Sequence, residues 1–360
     1  MADFMSLALY DPRFGYYARA AQRSGRAGDF FTSVDVGSIF GRLLGVQIAE
    51  MLTRLRDSSD TNAAFDLVEC GAGNGRLTAD VLRCLRTEAP DLYDRTRVHL
   101  IEASATARLA QSAVLGELTD RLATSSGALP QSFRGVVYAN ELVDALPTHQ
   151  VVMREAGLRE VYVAAFENRL VLIEDTPSSP ELEAYLERLA VDLEPGWTAE
   201  ISLMATAWMR DVSRRLERGF AIVIDYGHPA AELYSASHSA GTLTSFSRHT
   251  ATGADSAQPA WLLNPGEQDI TAHVDFTNLQ QTAVAEGMDV LAFLDQTYFL
   301  LGLSNLDDPA GRGELSLRER LALKTLLLPG GLGSTMKVLI LGKNVGAPSL
   351  RGCSYRVRVT

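Results

Sequence analysis

The chain is short of cysteine, of positive charge and of long apolar runs, and each shortage closes off a class of protein. Its cysteines are three, Cys70, Cys84 and Cys353. An odd number without zinc-ligand spacing is no disulfide framework and reads as free thiols in a reducing compartment. Lys and Arg number 33 against 44 Asp and Glu, a net charge of −11. A surface of that sign repels phosphate polymers, so nucleic acid is not expected as a partner. No apolar run approaches about 20 residues, so no membrane insertion is expected. The opening MADFMSLALYDPRFGYY has no basic region followed by an apolar core, nor the Arg- and Ser-rich pattern of an organelle presequence. The expected location is therefore cytoplasmic.

What the chain does have is apolar residues, 46% of 360, enough for a sizeable interior. The length suggests two units or one elaborated core. Residues 10–33 are rich in Gly, Tyr and Phe, carry no period and read as irregular. A helical pattern runs from about Val36 to Arg56, and Gly37, Gly41 and Gly45 recur on one face, as close packing against another element requires. After the polar break at 57–62, strands and helices alternate. FDLVECG (65–71), VHLIEAS (98–104) and GVVYANEL (135–142) read as strands; Arg76 to Glu88 and Ala105 to Leu115 read as helices. That alternation implies a parallel sheet. Residues 149–174 read instead as an antiparallel meander inserted into it. Helical patterns return at 181–190 and 203–217, then FAIVIDYG (220–227) is another buried strand. Residues 229–265 are read as loop-dominated. Val274 to Gly287 and 315–328 follow as helices, and MKVLILGK (336–343) as a late strand.

The stretch Val68-Glu69-Cys70-Gly71-Ala72-Gly73-Asn74-Gly75 closes a strand and opens a helix, at the carboxyl end where open α/β sheets bind ligands. Glycines there permit a tight turn and close approach of a ligand to the backbone. A nicotinamide or flavin fingerprint would be G-x-G-x-x-G. This turn is G-x-G-x-G, with Arg76 where the third glycine would stand and Glu69 just ahead of it. The pattern suits a nucleoside ligand with no pyrophosphate, as in methyl-donor sites. Glu102 ends the next strand, and a carboxylate there can accept both ribose hydroxyls of an adenosyl group. A sharp strand–helix turn with a surface acid is the alternative.

Longer motifs carry a resemblance. FMSLALYDPRFGYY (4–17), GDFFTS (28–33), IFGRLLG (39–45), VECGAGNGRL (68–77), ANELVDALPTHQ (139–150), IDYGH (224–228), GTLTSF (241–246) and NPGEQDITAHVDF (264–276) occur in that order. On these segments the chain resembles the MidA-like methyltransferases, a family that includes a protein arginine methyltransferase of respiratory complex I assembly. One departure is Val34-Asp35, where the family has Pro-Glu after its Thr-Ser. The resemblance implies an α/β, Rossmann-like class I methyltransferase core with an antiparallel β insertion and extra N- and C-terminal segments. On that reading 1–57 is an N-terminal cap and helix. Residues 63–228 are the donor-binding core with the insertion at 149–174, and 229–360 complete the sheet and acceptor site. The implied cofactor is S-adenosyl-L-methionine. The implied partner is a protein substrate, with a respiratory-complex subunit as one candidate; oligomeric state is left open.

Expected site residues follow from both lines. Glu69, Gly71, Ala72, Gly73, Gly75 and Glu102 form the donor turn. Gly28, Thr32 and Ser33 are expected to fold over the donor, although Ser33 or Asp35 equally suits a helix N-cap. Asn140 and Glu141 end a strand beside the crevice, where an acid can grip a guanidinium bidentately; an internal pair or cap is the bland alternative for Glu141. Asp144 and Asp225 are further candidate acids. Asp269, His273 and Asp275 are candidates for an acceptor pocket, or simply a helix entry. No metal is expected, because His149, His228 and His273 lack ligand spacing. The functions consistent with this set are arginine methylation, methylation of a small molecule or another side chain, and a donor-binding assembly factor with little turnover.

Overall fold

The computed structural model describes residues 1–18, 32–56, 63–247, 250–252, 259–304, 315–328 and 332–355. Among these the strands run, in chain order, β1 Phe65–Cys70, β2 Thr96–Ile101, β3 Leu122–Ser126, β4 Phe133–Asn140, β5 His149–Arg154, β6 Gly157–Phe166, β7 Arg169–Asp175, β8 Thr198–Ile201, β9 Leu216–His228, β10 Thr244–Ser247, β11 Thr250–Thr252, β12 Asp269–Thr271, β13 Val274–Asp275, β14 Asp289–Asp295 and β15 Met336–Lys343. The chain divides into two compact units. The first is Met1–Phe30, Leu142–Arg210 and Tyr226–Thr282; the second is Phe31–Glu141, Asp211–Asp225 and Ala283–Thr360.

The second unit is built on a sheet in the order β14-β15-β9-β4-β1-β2-β3. β1 runs parallel to β2 and β4, β4 to β9, and β2 to β3, whereas β14 and β15 are antiparallel. Every residue of β1 is buried, which is why FDLVEC lacks polar–apolar alternation and reads as a continuous run. Strand order reverses between β1 and β4, so a crevice opens beyond their carboxyl ends, the usual ligand position in such sheets. The helix Ile39–Leu55 packs on the helix Arg76–Glu88 through two glycines. A Cβ on Gly41 would lie 2.5 Å from Asp80 Cβ, and one on Gly45 would lie 2.7 Å from Cys84 Cβ. Gly37 precedes the helix at φ 143° with nothing near its missing side chain, so it takes no part in that contact.

In the first unit, the expected meander is present as antiparallel β5, β6 and β7, and β8 joins it in the order β7-β6-β5-β8. Val151 and Ile201 from this sheet pack with Leu182, Tyr185 and Leu186 of the helix Glu181–Arg188. A second cluster joins Met5 and Leu9 of the helix Ala2–Tyr10 to Trp261 and Ile270.

Several elements differ from expectation. β3 is missing from the sequence reading because LATSS has no apolar alternation and is mostly solvent-facing. β14 and β8 are likewise unexpected. The region 229–265, expected as loop, holds β10, β11 and the short helices Ala230–Leu233 and Ala260–Leu263. Residues 248–249 and 253–258 of that region, and 19–31 of the irregular stretch, lie outside the described residues.

The glycine contact sets the first prediction. Gly41→Ala places a methyl carbon where no rotamer change can move it, so the two helices must part. Overpacking of this kind costs about 1–3 kcal/mol, and the melting temperature should fall by several degrees. An unchanged melting curve would show that these helices do not touch at Gly41.

Candidate active site

The glycine turn is tied to the neighbouring strand by its own backbone. The Gly71 and Ala72 amides donate to Ile101 O at 2.9 and 3.1 Å, and the Gly75 amide closes the turn onto Ala72 O at 2.8 Å. Gly73 has φ 50° and a Cβ there would meet nothing within 4 Å, so its outer face is open. Its amide donates to Glu102 Oε2 at 2.8 Å, and its carbonyl accepts from Gln111 Nε2, also at 2.8 Å. Glu102 Oε1 accepts the Ser104 amide at 2.7 Å. Each carboxylate oxygen has a second lone pair for a ligand hydroxyl. A nucleoside fits this arrangement: open space over Gly73, with an acceptor pair fixed beside it.

Glu69 points inward. Its Oε2 accepts from the Thr78 hydroxyl, and Tyr138 OH lies 3.4 Å from the same oxygen. Burial pushes the Glu69 carboxyl up to about 8, although hydrogen bonds from Thr78 and Tyr138 oppose the shift.

At the end of β4, Glu141 has a left-handed backbone, φ 51°, and its amide donates to Ile224 O at 2.9 Å. Side chains other than Gly hold such a conformation at a cost, and it is common where a site fixes a side chain. Glu141 Oε1 accepts the Ser33 amide and Asn140 Nδ2, each at 3.1 Å. The carboxyl sits deep enough that burial, with the negative charges of Asp225 and Asp35, raises it to about 8. Asn140 Oδ1 is buried without a hydrogen-bond partner among the described residues. Asp225 is fully buried.

Thr32 and Ser33 open the short helix Ser33–Val36. The Thr32 amide and hydroxyl both donate to Asp35 Oδ2, at 3.1 and 2.9 Å. Ser33 Oγ donates to Gln296 Oε1 at 3.2 Å. Asp35 Oδ1 receives Arg76 at 2.5 Å. The N-cap expected at Ser33 or Asp35 is instead Thr32, with Asp35 as its capping-box partner inside the helix, and Ser38 opens the longer helix that follows; the Ser33 amide donates to Glu141. Gly28 lies outside the described residues.

The remaining candidates fall in the first unit. Asp144 is mostly buried, and its carbonyl accepts the Ala272 amide at 3.0 Å. Asp269 accepts from Tyr17 OH at 2.7 Å. Asp275 accepts from Tyr185 OH at 2.8 Å and from the Asn278 amide at 2.9 Å. Tyr185, Glu200, His273, Asp275 and Asn278 line a small cavity, which Asp269 does not. His149 pairs with Glu160 at 2.7 Å. His228 and His273, distant in sequence, come together with His238, which sequence reasoning did not single out. Their ring centroids are 4.8–6.0 Å apart. Thr78, Gln111, Tyr138 and Gln296 were also missed, since nothing in their spacing marks them.

A parallel sheet reversing at β1/β4, an antiparallel terminal pair and a glycine turn held by an acid at the next strand end define a class I methyltransferase fold. A family model described as "Putative S-adenosyl-L-methionine-dependent methyltransferase" matches residues 43–294, and the chain belongs to that family. A crystal structure from Burkholderia thailandensis, described as a "likely methyl transferase" bound to S-adenosyl-homocysteine, is 29% identical with a TM-score of 0.85, covering 98% of this chain and 89% of that one. "Protein arginine methyltransferase NDUFAF7, mitochondrial" of Mus musculus is 30% identical over 79% of this chain, and that of Homo sapiens is 29% identical over 79%. The chain spans 66% of the mouse relative's length and 65% of the human one. The family is one of S-adenosyl-L-methionine-dependent methyltransferases, and a nucleoside donor of that kind fits the turn at Gly73 and Glu102. The cytoplasmic expectation is corrected: the mouse, human and Drosophila melanogaster relatives are mitochondrial by name, and the lack of a leader pattern did not bear on location. No helix among the described residues is long and apolar enough to cross a membrane.

Gly73→Val projects into the open face over the turn and should abolish binding of S-adenosyl-homocysteine while the far-UV spectrum is kept; calorimetry finding unchanged affinity would place the ligand elsewhere. Glu69 has its folded pKa raised to about 8 from an ordinary 4.5, so the folded state holds a proton that the unfolded chain releases. Its contribution is full below the unfolded pKa and is lost as pH rises through about 8. Glu69→Gln keeps the uncharged shape. The variant should melt near the parent at pH 5 and above it at pH 8.5, and parallel curves across that range would contradict an uncharged Glu69.

Proposed function

We propose that the chain methylates an arginine side chain of a protein partner. The observation that carries this reading is Glu141, a carboxyl fixed by a left-handed backbone at the end of β4 and held above its ordinary range by burial and by Asp225 and Asp35. A cluster of acids with too little solvation favours a cationic ligand, because a positive partner restores the charged form. Asn140 Oδ1 supports the same reading, since an unpartnered buried acceptor calls for an N–H donor. A guanidinium supplies both the charge and the donors. The relatives named protein arginine methyltransferases give independent support.

The bound donor supplies an electrophilic methyl group on a sulfonium. The rest falls to this chain. The Gly73 face and Glu102 hold the nucleoside, and Gly71, Ala72 and Gly75 shape the turn. Glu69, beneath it, keeps β1 and the following helix in register. Glu141 grips two guanidinium nitrogens and aims one of them in line with the methyl carbon, so that positioning carries much of the rate. Asp225 adds negative charge, and Asn140 takes a further N–H. The attacking nitrogen gives up one proton as it gains the methyl group, and the Glu141 carboxylate accepts it. Ser33 steadies Glu141 through its amide, and the proposed donor contact of Thr32 and Ser33 is additional to that. Asp144 is kept as a candidate for acceptor binding. The acceptor is a protein, and in the finer form of the proposal a respiratory-complex subunit.

Glu141→Gln keeps size and loses the charge that makes the bidentate pair strong. Turnover on a verified arginine acceptor should fall about 100-fold, roughly 2.7 kcal/mol, with donor affinity changed less than about threefold. The charged form is the one that grips a cation, so kcat/KM of the parent should rise with pH and level off above about 8. In the variant that rise should vanish. Near-normal turnover with the same pH profile would remove Glu141 from the mechanism. Donor binding lost together with a lower melting temperature would make it a folding residue.

A further inference from the structure

Three histidines that the methyl-transfer reading does not use meet within the first unit. His228 ends β9, His238 ends the single turn Ala236–His238, and His273 sits between β12 and β13. One ligand nitrogen from each lies within 4.8 Å of the others. We propose that His228, His238 and His273 bind a first-row divalent cation, with Zn2+ the best suited.

The fold supports the arrangement from behind. β13 pairs with the end of β9, Val274 opposite Gly227 and Asp275 opposite His228, which brings the first and third histidines side by side. The His238 carbonyl accepts the Gly241 amide at 2.8 Å. Thr242, one residue on, accepts the His273 amide on its hydroxyl at 3.0 Å, and its own amide donates to Glu200 Oε2 at 2.7 Å. The second and third histidines are thereby tied through the backbone between them.

The ring nitrogens are prepared for a metal. His238 Nδ1 lies 3.0 Å from the Glu232 carbonyl, which can only accept, so Nδ1 carries the proton and the Nε2 lone pair is left over. His228 Nδ1 lies 2.9 Å from the carboxylate of the same Glu232. A carbonyl behind a metal-binding imidazole fixes the ring and its tautomer, as the Glu232 carbonyl does for His238. His273 Nδ1 is buried without a hydrogen-bond partner among the described residues. Leaving such a nitrogen unpaired is costly, and a cation would satisfy it.

Three imidazole ligands select borderline metals and disfavour Mg2+ and Ca2+, which take oxygen ligands. In a tetrahedral site with Zn–N bonds near 2.1 Å the nitrogens stand about 3.4 Å apart. The widest pair here must close by about 1.4 Å relative to its 4.8 Å limit, within reach of side-chain rotation. The fourth position is then open to water. A bound ion would cross-link three segments remote in sequence, stabilising the folded state by mass action.

The test uses the full chain stripped with a chelator and then titrated with Zn2+ by calorimetry. One ion per chain should bind with Kd of about 10 μM or tighter, and the melting temperature should rise with Zn2+. His238→Ala should weaken binding at least 30-fold and abolish the thermal shift, whereas His149→Ala and Cys353→Ser should leave both unchanged. Co2+ added to the parent protein gives a readout that needs no variant: tetrahedral nitrogen coordination colours the protein without a thiolate charge-transfer band. Zn2+ binding weaker than about 100 μM, binding unaltered in a folded His238→Ala, or a thiolate band with Co2+ would each overturn the proposal.

Discussion

The turn proposed to hold the donor depends on one hydrogen bond, from the Gly73 amide to the Glu102 carboxylate at 2.8 Å. It joins the turn after β1 to the acid after β2, and the Gly71 and Ala72 amides on Ile101 O hold the same two chain ends from below. Gln111 adds a third hold on Gly73 O and is itself fully buried. The left-handed backbone at Gly73 aims the amide at the acid while keeping the outer face bare. Any residue with a side chain would have to supply both the unusual φ and the empty space, and only glycine does so without strain. Preorganisation of this kind would present a nucleoside with acceptors already oriented.

Around that turn the second unit carries acids it cannot fully solvate. Glu69 and Glu141 are both raised to about 8, chiefly by burial. Their surroundings differ in what they offer. Glu69 has hydroxyl neighbours, Thr78 and Tyr138, and the group is satisfied within the core as a neutral acid. Glu141 has one backbone amide and one side-chain amide, with two further acids contributing negative charge. A protonated carboxyl suits the first environment. In the second, the added negative charge of Asp225 and Asp35 would be relieved by a cation, which is why the proposed arginine acceptor is placed at Glu141 rather than at Glu69.

The sheet was largely legible because β1, β4, β9 and β15 are mostly buried and mainly apolar, and because glycine turns and polar breaks separate them. β3 was not legible, since an edge strand of Thr and Ser gains its identity from pairing with β2 alone. The site divides in the same way. Gly73, Glu102 and Glu141 announce themselves by position at strand ends. Gln111, Tyr138 and Gln296 act from helices or strand interiors, where a polar residue at one position carries no periodic signal. The histidines show the limit most plainly: His228 and His273 are 45 positions apart by number, and only the β9–β13 pairing makes them neighbours.

Arg76 links the glycine turn to the segment that holds Glu141. In the sequence it speaks against a dinucleotide site, because it stands where a third glycine would let helix and strand approach. In the structure the side chain has a use of its own: it reaches Asp35 at 2.5 Å. Asp35 in turn caps the helix Ser33–Val36 through the Thr32 amide and hydroxyl. That helix starts with Ser33, whose amide holds Glu141. One chain of contacts therefore runs from the first residue after the glycine turn, through a capped helix, to the acid at the end of β4. The Arg76 side chain is about one-third exposed and the Asp35 side chain is buried, so removing the arginine would leave an uncompensated charge under the segment that positions Glu141. The departure from the dinucleotide pattern is thus what couples the donor turn to the acid proposed to hold the acceptor.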